Sequence, residues 1–154
     1  MIHIYSFQDL SGQQVYDVLH LRQSVFLLEQ HCFYEDIDDQ DTHALHLCYT
    51  DQNNQLTGYL RIFPPVHGQK LSIGRVVVKK GARRCGIGRT IMEFALKECQ
   101  ARYPGHDINI SAQTYLVGFY ASLGFQTFGD EYMEAGVPHQ GMILLSGGKE
   151  KRGQ

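Results

Sequence analysis

A chain of 154 residues fits one compact domain and leaves little room for a second. Hydrophobic residues make up 43% and charged residues 19%, enough apolar material for a core and too much for a disordered chain. The formal charge of -2 gives no reason to expect a strongly basic, nucleic-acid-binding face beyond a local patch. Met1 to Tyr5 lacks a basic region followed by a long apolar run, and no stretch approaches the roughly 20 apolar residues of a membrane span. The expectation is a soluble, cytoplasmic protein with neither a membrane nor a nucleic-acid partner. Cys32, Cys48, Cys85 and Cys99 never fall in a C-x-x-C spacing, which argues for buried reduced thiols and against a zinc knuckle.

In chain order, Ile2 to Ser6 reads as a short strand. Ser11 is placed to cap a helix that carries Val15, Val18, Leu19 and Arg22 toward Phe26 and Glu29. Glu35 to Asp41 is an acidic loop. Leu45 to Tyr49 and Leu56 to Phe63 form a hairpin about the turn Asp51-Gln52-Asn53-Asn54, and Pro64-Pro65 stops its second strand. Lys70 to Val78 is the strongest strand, ending in Val76-Val77-Val78. A glycine-rich loop follows, then a helix with Ile91, Met92, Ala95, Leu96 and Cys99 on its apolar face, ended by Pro104-Gly105. Ile108 to Ala112 is a strand and Leu116 to Leu123 a short helix stopped by Gly124; Phe125 to Phe128 and Met142 to Leu145 close the sheet. Gly147 to Gln154 reads as a flexible tail beyond a single domain over residues 1–146. The pattern predicts an α/β fold of layered α+β type.

The loop Arg83-Arg84-Cys85-Gly86-Ile87-Gly88 follows a strand and opens a helix, so unpaired N–H groups and the positive helix end face one spot. Gly86 and Gly88 admit a bulky anion, and Arg83, Arg84 and Arg89 add charge suited to phosphate. Gly81 and Gly86 have P-loop spacing, but Ile87-Gly88 stands where lysine and a hydroxyl residue are required. A dinucleotide fingerprint fails at Ile91, the place of its third glycine. A calcium loop starting at Asp36 fails at Asp41 and Leu47. His43 and His46 are three apart, which on a strand sends them to opposite faces, so no shared metal is expected. Cys85, beside arginines at a helix start, sits where a thiol pKa can fall.

The loop matches [RQ]-x-x-G-x-[GA] at every specified position and resembles the coenzyme A loop of the GNAT acetyltransferases. Phe119-Tyr120-Ala121-Ser122-Leu123-Gly124-Phe125 resembles that family's second signature, a tyrosine four residues before Gly-Phe. The likeness narrows to ElaA-like members through Leu21 to Cys32, Tyr34 to Asp41, His43, Ile73 to Val76, Ser111 to Gln113 and Tyr132 to His139. Phe33 departs from a frequent proline, and Arg84 from a frequent glycine.

The resemblance implies the GNAT acyl-CoA N-acyltransferase fold, a mixed, mostly antiparallel sheet flanked by helices. It implies acetyl-CoA as cosubstrate and direct transfer to a small-molecule or peptide amine, and it is compatible with a homodimer. The strand end Val76, Val77 and Val78 is implied to hold the pantetheine arm. The loop residues Arg83, Arg84, Cys85, Gly86, Ile87, Gly88 and Arg89 are implied to hold the pyrophosphate. Tyr120 becomes the proton donor to the leaving thiolate, since a phenol is protonated at neutral pH. Glu29 and His139 stand equal as candidate bases. Gln30, His43, Arg75 and Gln113 are placed on the acceptor side, and the acidic loop, if it lines that site, favours a cationic amine. A non-catalytic acyl-CoA sensor and a structural interaction domain are the competing readings; Tyr120 favours the enzyme, because a sensor needs no proton donor.

Overall fold

A computed structural model describes residues 1–148. Seven strands form one sheet in the order β1-β2-β3-β4-β5-β7-β6. They are β1 (Ile2–Ser6), β2 (Leu45–Thr50), β3 (Leu56–Phe63), β4 (Ser72–Val78), β5 (Ile108–Gln113), β6 (Gln126–Glu134) and β7 (Val137–Leu144). Every neighbouring pair is antiparallel except β4–β5, which is parallel. That pair is in register only at Ser72 and Asn109, so the strands part beyond it and leave a cleft between their C-terminal halves.

Helix α1 (Gly12–Arg22) begins at a capping box: the Ser11 hydroxyl accepts from the Gln14 N–H while the Gln14 side chain accepts from the Ser11 N–H. It runs on into a π-helical segment, Gln23–Glu29. Val18, Leu21 and Val25 pack on one face of the sheet against Cys48, Tyr59 and Val77. Helix α2 (Ile87–Arg102) covers the other face, burying Ile91, Met92, Ala95, Leu96 and Cys99 against Leu47, Leu60, Ile62, Ile73 and Ile110. Alternation along the strands divides the two cores: Leu47 and Leu60 point one way, their neighbours Cys48 and Tyr59 the other. The short helix α3 (Val117–Ala121) follows a 3-10 turn at Thr114–Leu116 beyond the end of β5.

Two glycine and bulge positions set the mouth of the cleft. Between the pairs Tyr59–Val77 and Arg61–Gly74, Arg75 and Val76 oppose the single residue Leu60, and Arg75 has φ +51. This β-bulge bends β4 where it leaves β5. Gly58 on β3 lies under the start of α2: a Cβ there would sit 2.8 Å from Ile87 Cγ2 and 3.3 Å from Tyr49 Cβ. Ile87 is β-branched and buried, so it yields poorly. Gly58→Ala is expected to destabilise the fold by about 1–3 kcal/mol and to displace the loop ahead of α2. Urea unfolding checks the first effect; a shift below 0.5 kcal/mol would show that the helix start moves freely.

The closing hairpin is longer than the sequence suggests, spanning Gln126–Glu134 and Val137–Leu144 rather than Phe125 to Phe128 and Met142 to Leu145. All of β6 after Gln126 is exposed, so it carries no alternating apolar signal. Its turn is made by Ala135 and Gly136, with φ +52 and +77. The four cysteines are free thiols; Cys32, Cys48 and Cys99 are buried, but Cys85 is exposed, against the expectation of uniform burial. The turn Ser146–Gly148 ends the described residues, and the remainder of the expected tail lies outside them. Among the described residues no helix is long and apolar enough to cross a membrane.

Candidate active site

The glycine-rich loop is built as an anion cradle. Unlike α1, helix α2 has no side-chain cap: its N-cap is Gly86, at φ +78. The N–H groups of its first turn are therefore left without side-chain partners at the loop. Arg84 is exposed at φ +66. A left-handed conformation costs a non-glycine residue roughly 1–2 kcal/mol, which explains why glycine suits this place. Gly88 packs against β4, where its Cβ would lie 3.8 Å from Val78 Cγ2. Val76 and Val78 lie on the α2 side of the sheet, while Val77 is buried on the α1 side; that side chain is core, and only its backbone faces along the strand.

Arg83 ties the loop to the end of the π-helical segment. Its two terminal nitrogens donate to the Glu29 carboxylate at 2.5 and 2.7 Å, and its Nε donates to the Val78 carbonyl at 3.0 Å. Hydrogen bonds from Arg83 hold the Glu29 carboxyl below its usual range. Arg89 donates to the Ser122 hydroxyl at 2.6 Å, and its guanidinium lies over the Phe119 ring, joining α2 to the helix that carries Tyr120.

The cleft between β4 and β5 encloses about 120 Å³ and brings together Tyr120, His139, Gln30, Gln113 and Arg75. Tyr120 is 7% exposed and packs edge-on against Phe119 and Phe125. Burial pushes its hydroxyl up to about 12, so it keeps its proton at neutral pH. His139 is also 7% exposed. Its Nδ1 lies 2.8 Å from the Val137 carbonyl, which accepts only, so Nδ1 carries a hydrogen and Nε2 is the nitrogen that accepts in the neutral tautomer. The Gln113 amide donates to the Gln30 carbonyl oxygen at 3.2 Å, closing one wall.

Two placements separate residues that the sequence could not rank. Glu29 is not among the residues lining the cleft; it lines a larger groove of about 790 Å³ on the α1 side, bound to Arg83. A carboxylate so paired is a weak proton acceptor, and it does not line the cleft that Tyr120 lines. His43 belongs to an exposed 3-10 turn, Asp41–His43, rather than to a strand, and does not line the cleft.

The acidic loop is only in part the solvated surface its composition suggests: Glu35 and Asp39 are exposed. Asp36, Asp38 and Asp41 instead alternate with three arginines in a closed ring. Arg22 pairs with Asp36 at 2.9 Å and Asp41 at 2.8 Å. Arg61 pairs with Asp41 at 2.8 Å and Asp38 at 2.6 Å. Arg75 closes the circuit to Asp38 at 3.3 Å and Asp36 at 2.8 Å, with its face on Tyr34. Arg75 therefore lines the cleft with its guanidinium already engaged. Sequence reasoning missed Arg22 and Arg61 as partners of this loop. The available signal was an arginine on the buried stripe of α1 and another inside a central strand, beside an excess of aspartate.

Similarity searches agree with this geometry. A family model described as an acetyltransferase (GNAT) domain matches residues 7–146. A UPF0039 protein of Synechocystis sp. is 40% identical over 139 residues, covering 90% of each chain. The crystal structure of an acyl-CoA N-acyltransferase from Pseudomonas aeruginosa aligns with a TM-score of 0.86 at 34% identity, over 94% of this chain and 98% of that one. Escherichia coli ElaA aligns with a TM-score of 0.87 at 33% identity, with the same coverage. The chain therefore belongs to the GNAT acetyltransferase family, in its ElaA-like branch.

Proposed function

We propose that the protein transfers an acetyl group from acetyl-CoA directly to an amine. The observation that carries this is the meeting, at one parted strand pair, of an anion cradle and a buried phenol. The main chain at Val76 lies where β4 has left β5, open to pair with an extended pantetheine arm as an added strand would, while at Val78 the carbonyl is held by Arg83. The α2 N-terminus receives the pyrophosphate, with Arg84 and Arg89 at its rim. Coenzyme A supplies the activated thioester; the rest is done by this chain.

His139 Nε2 accepts a proton from the incoming ammonium, so that the nitrogen attacks as a neutral amine. As the C–N bond forms and the C–S bond breaks, the Tyr120 hydroxyl gives its proton to the departing sulfur. The second nitrogen proton then restores Tyr120, and His139 returns its own to solvent. Tyr120 suits this role because burial keeps it protonated. Glu29 serves instead as the loop's anchor through Arg83.

Binding is the first test. Acetyl-CoA at a hundredfold excess over its Kd is expected to stabilise the protein by about 2.7 kcal/mol, raising the melting temperature by roughly 5–10 °C. A shift without release of free coenzyme A in the presence of amines favours the sensor reading. No shift at all removes both.

A further inference from the structure

We infer that the acceptor is a cationic amine with no carboxylate beside its reacting nitrogen, and that Glu134 selects it. The inference rests on the transfer reading above and adds the chemical class of its substrate. The cleft is lined by two formally charged side chains, Arg75 and Glu134. The Arg75 charge is already balanced by Asp36 and Asp38, which it meets through Nε and Nη2, so an acceptor carboxylate would have to share it with two aspartates. Glu134 is the opposite case. Its side chain is 55% exposed, and among the described residues it makes no ion contact with a lysine or arginine, only one with His139, whose Nε2 lies 3.7 Å from the carboxylate.

The position of Glu134 is fixed by the fold. It is the last residue of β6, paired with Val137 across the tight Ala135-Gly136 turn that forms the lip of the cleft. The whole hairpin from Gln126 to Leu144 contains Asp130, Glu131 and Glu134 and no lysine or arginine. An approaching cation is drawn to this lip and a carboxylate is repelled by it. An ammonium held by Glu134 also lies beside the Nε2 lone pair that takes its proton, and the imidazolium so formed is paired by the same carboxylate. Below the lip Phe26, Ile73, Ile110 and Leu116 give apolar surface beside the wall closed by Gln30 and Gln113. The space of about 120 Å³ suits a slim amine. The preference for a cation thus comes from the β6–β7 lip and not from the acidic loop.

Matched pairs that differ by one carboxylate test this: cadaverine against lysine, and phenethylamine against phenylalanine. Each is assayed for coenzyme A release, and for equilibrium binding by calorimetry, with wild type, Glu134→Gln and Glu134→Lys. Wild type is expected to favour the carboxylate-free member by about tenfold or more in kcat/KM. Glu134→Gln is expected to shrink that gap mainly through KM, and Glu134→Lys to reverse it, with unchanged melting temperature and acetyl-CoA binding. A wild-type preference for the amino acids, or the same preference in all three proteins, would overturn the inference. If no amine releases coenzyme A, the transfer reading fails separately. Selection is then read from the calorimetric affinities, where equal values in the three proteins overturn it.

Discussion

Tyr120→Phe is expected to slow acetyl transfer about 10²–10⁴-fold while coenzyme A affinity stays within about twofold. The substitution keeps the ring, and with it the edge contacts to Phe119 and Phe125, and removes only the hydroxyl. The loop that holds the pyrophosphate is built by other residues, so binding and catalysis separate cleanly in this variant. Because burial holds the hydroxyl up to about 12, Tyr120 does not titrate near neutrality. Any pH dependence of the rate between pH 6 and 9 must come from other groups and should persist in what activity the variant retains. Steady-state kinetics paired with calorimetric binding of coenzyme A checks this. Equal rates in variant and wild type would remove Tyr120 as the acid; lost binding would make it a structural residue of the cleft.

Removing one arginine from the ring is expected to cost the fold more than any change at its surface. Arg22 is fully buried, and Arg22→Ala takes one of two arginine partners from each of Asp36 and Asp41, leaving Arg75 and Arg61 alone to balance them. Breaking a buried ion pair by removing one partner typically costs 3–5 kcal/mol, a large fraction of the stability of a domain this size. The ring also predicts the acid limb of stability. Burial works against the Asp38 charge, but hydrogen bonds and attraction from Arg61 outweigh it and hold its carboxyl at about 2, from an ordinary 3.8. Asp41 is lowered likewise, with burial opposed by Arg22 and Arg61. A carboxyl depressed on folding contributes stability that is present above its unfolded pKa and lost as pH falls through its folded one. The loss should therefore fall between about pH 4 and pH 2, and Asp38 alone accounts for roughly 2 kcal/mol of it. Urea unfolding in steps from pH 7 to pH 2 tests both statements. Arg22→Ala within 1 kcal/mol of wild type, or a flat acid limb in wild type, would contradict them.

What the sequence revealed was local. The strand Val76-Val77-Val78, the loop spelling from Arg83 to Gly88 and the apolar stripe of α2 lie within one short stretch, so pattern and motif reinforce each other there. Tyr120 was legible because Gly124-Phe125 follows it at a fixed distance. The unreadable parts depend on contacts across the chain. Nothing near Glu29 announces that Arg83, 54 residues later, will bind it; only that pairing separates it from His139. The ring joins a helix, a loop and two strands, and nothing local to its arginines names the aspartates that bind them. Strand β6 escaped because exposed residues carry no burial period, and Glu134 escaped with it. The π-helical segment was hidden too: its apolar spacing is that of a helix, and the extra residue in its turn changes which side chains reach the cleft.

The most direct test of the central claim is to follow an isotope-labelled acetyl group. Acetyl-CoA labelled in the acetyl carbons is incubated with the protein and a panel of amines, and both small molecules and intact protein are weighed by mass spectrometry. Direct transfer predicts label on the amine nitrogen in step with free coenzyme A, with the protein mass unchanged at every time point. Label retained on the protein during turnover would contradict direct transfer. A cosubstrate that stays intact with every amine, despite being bound, would contradict the enzyme itself.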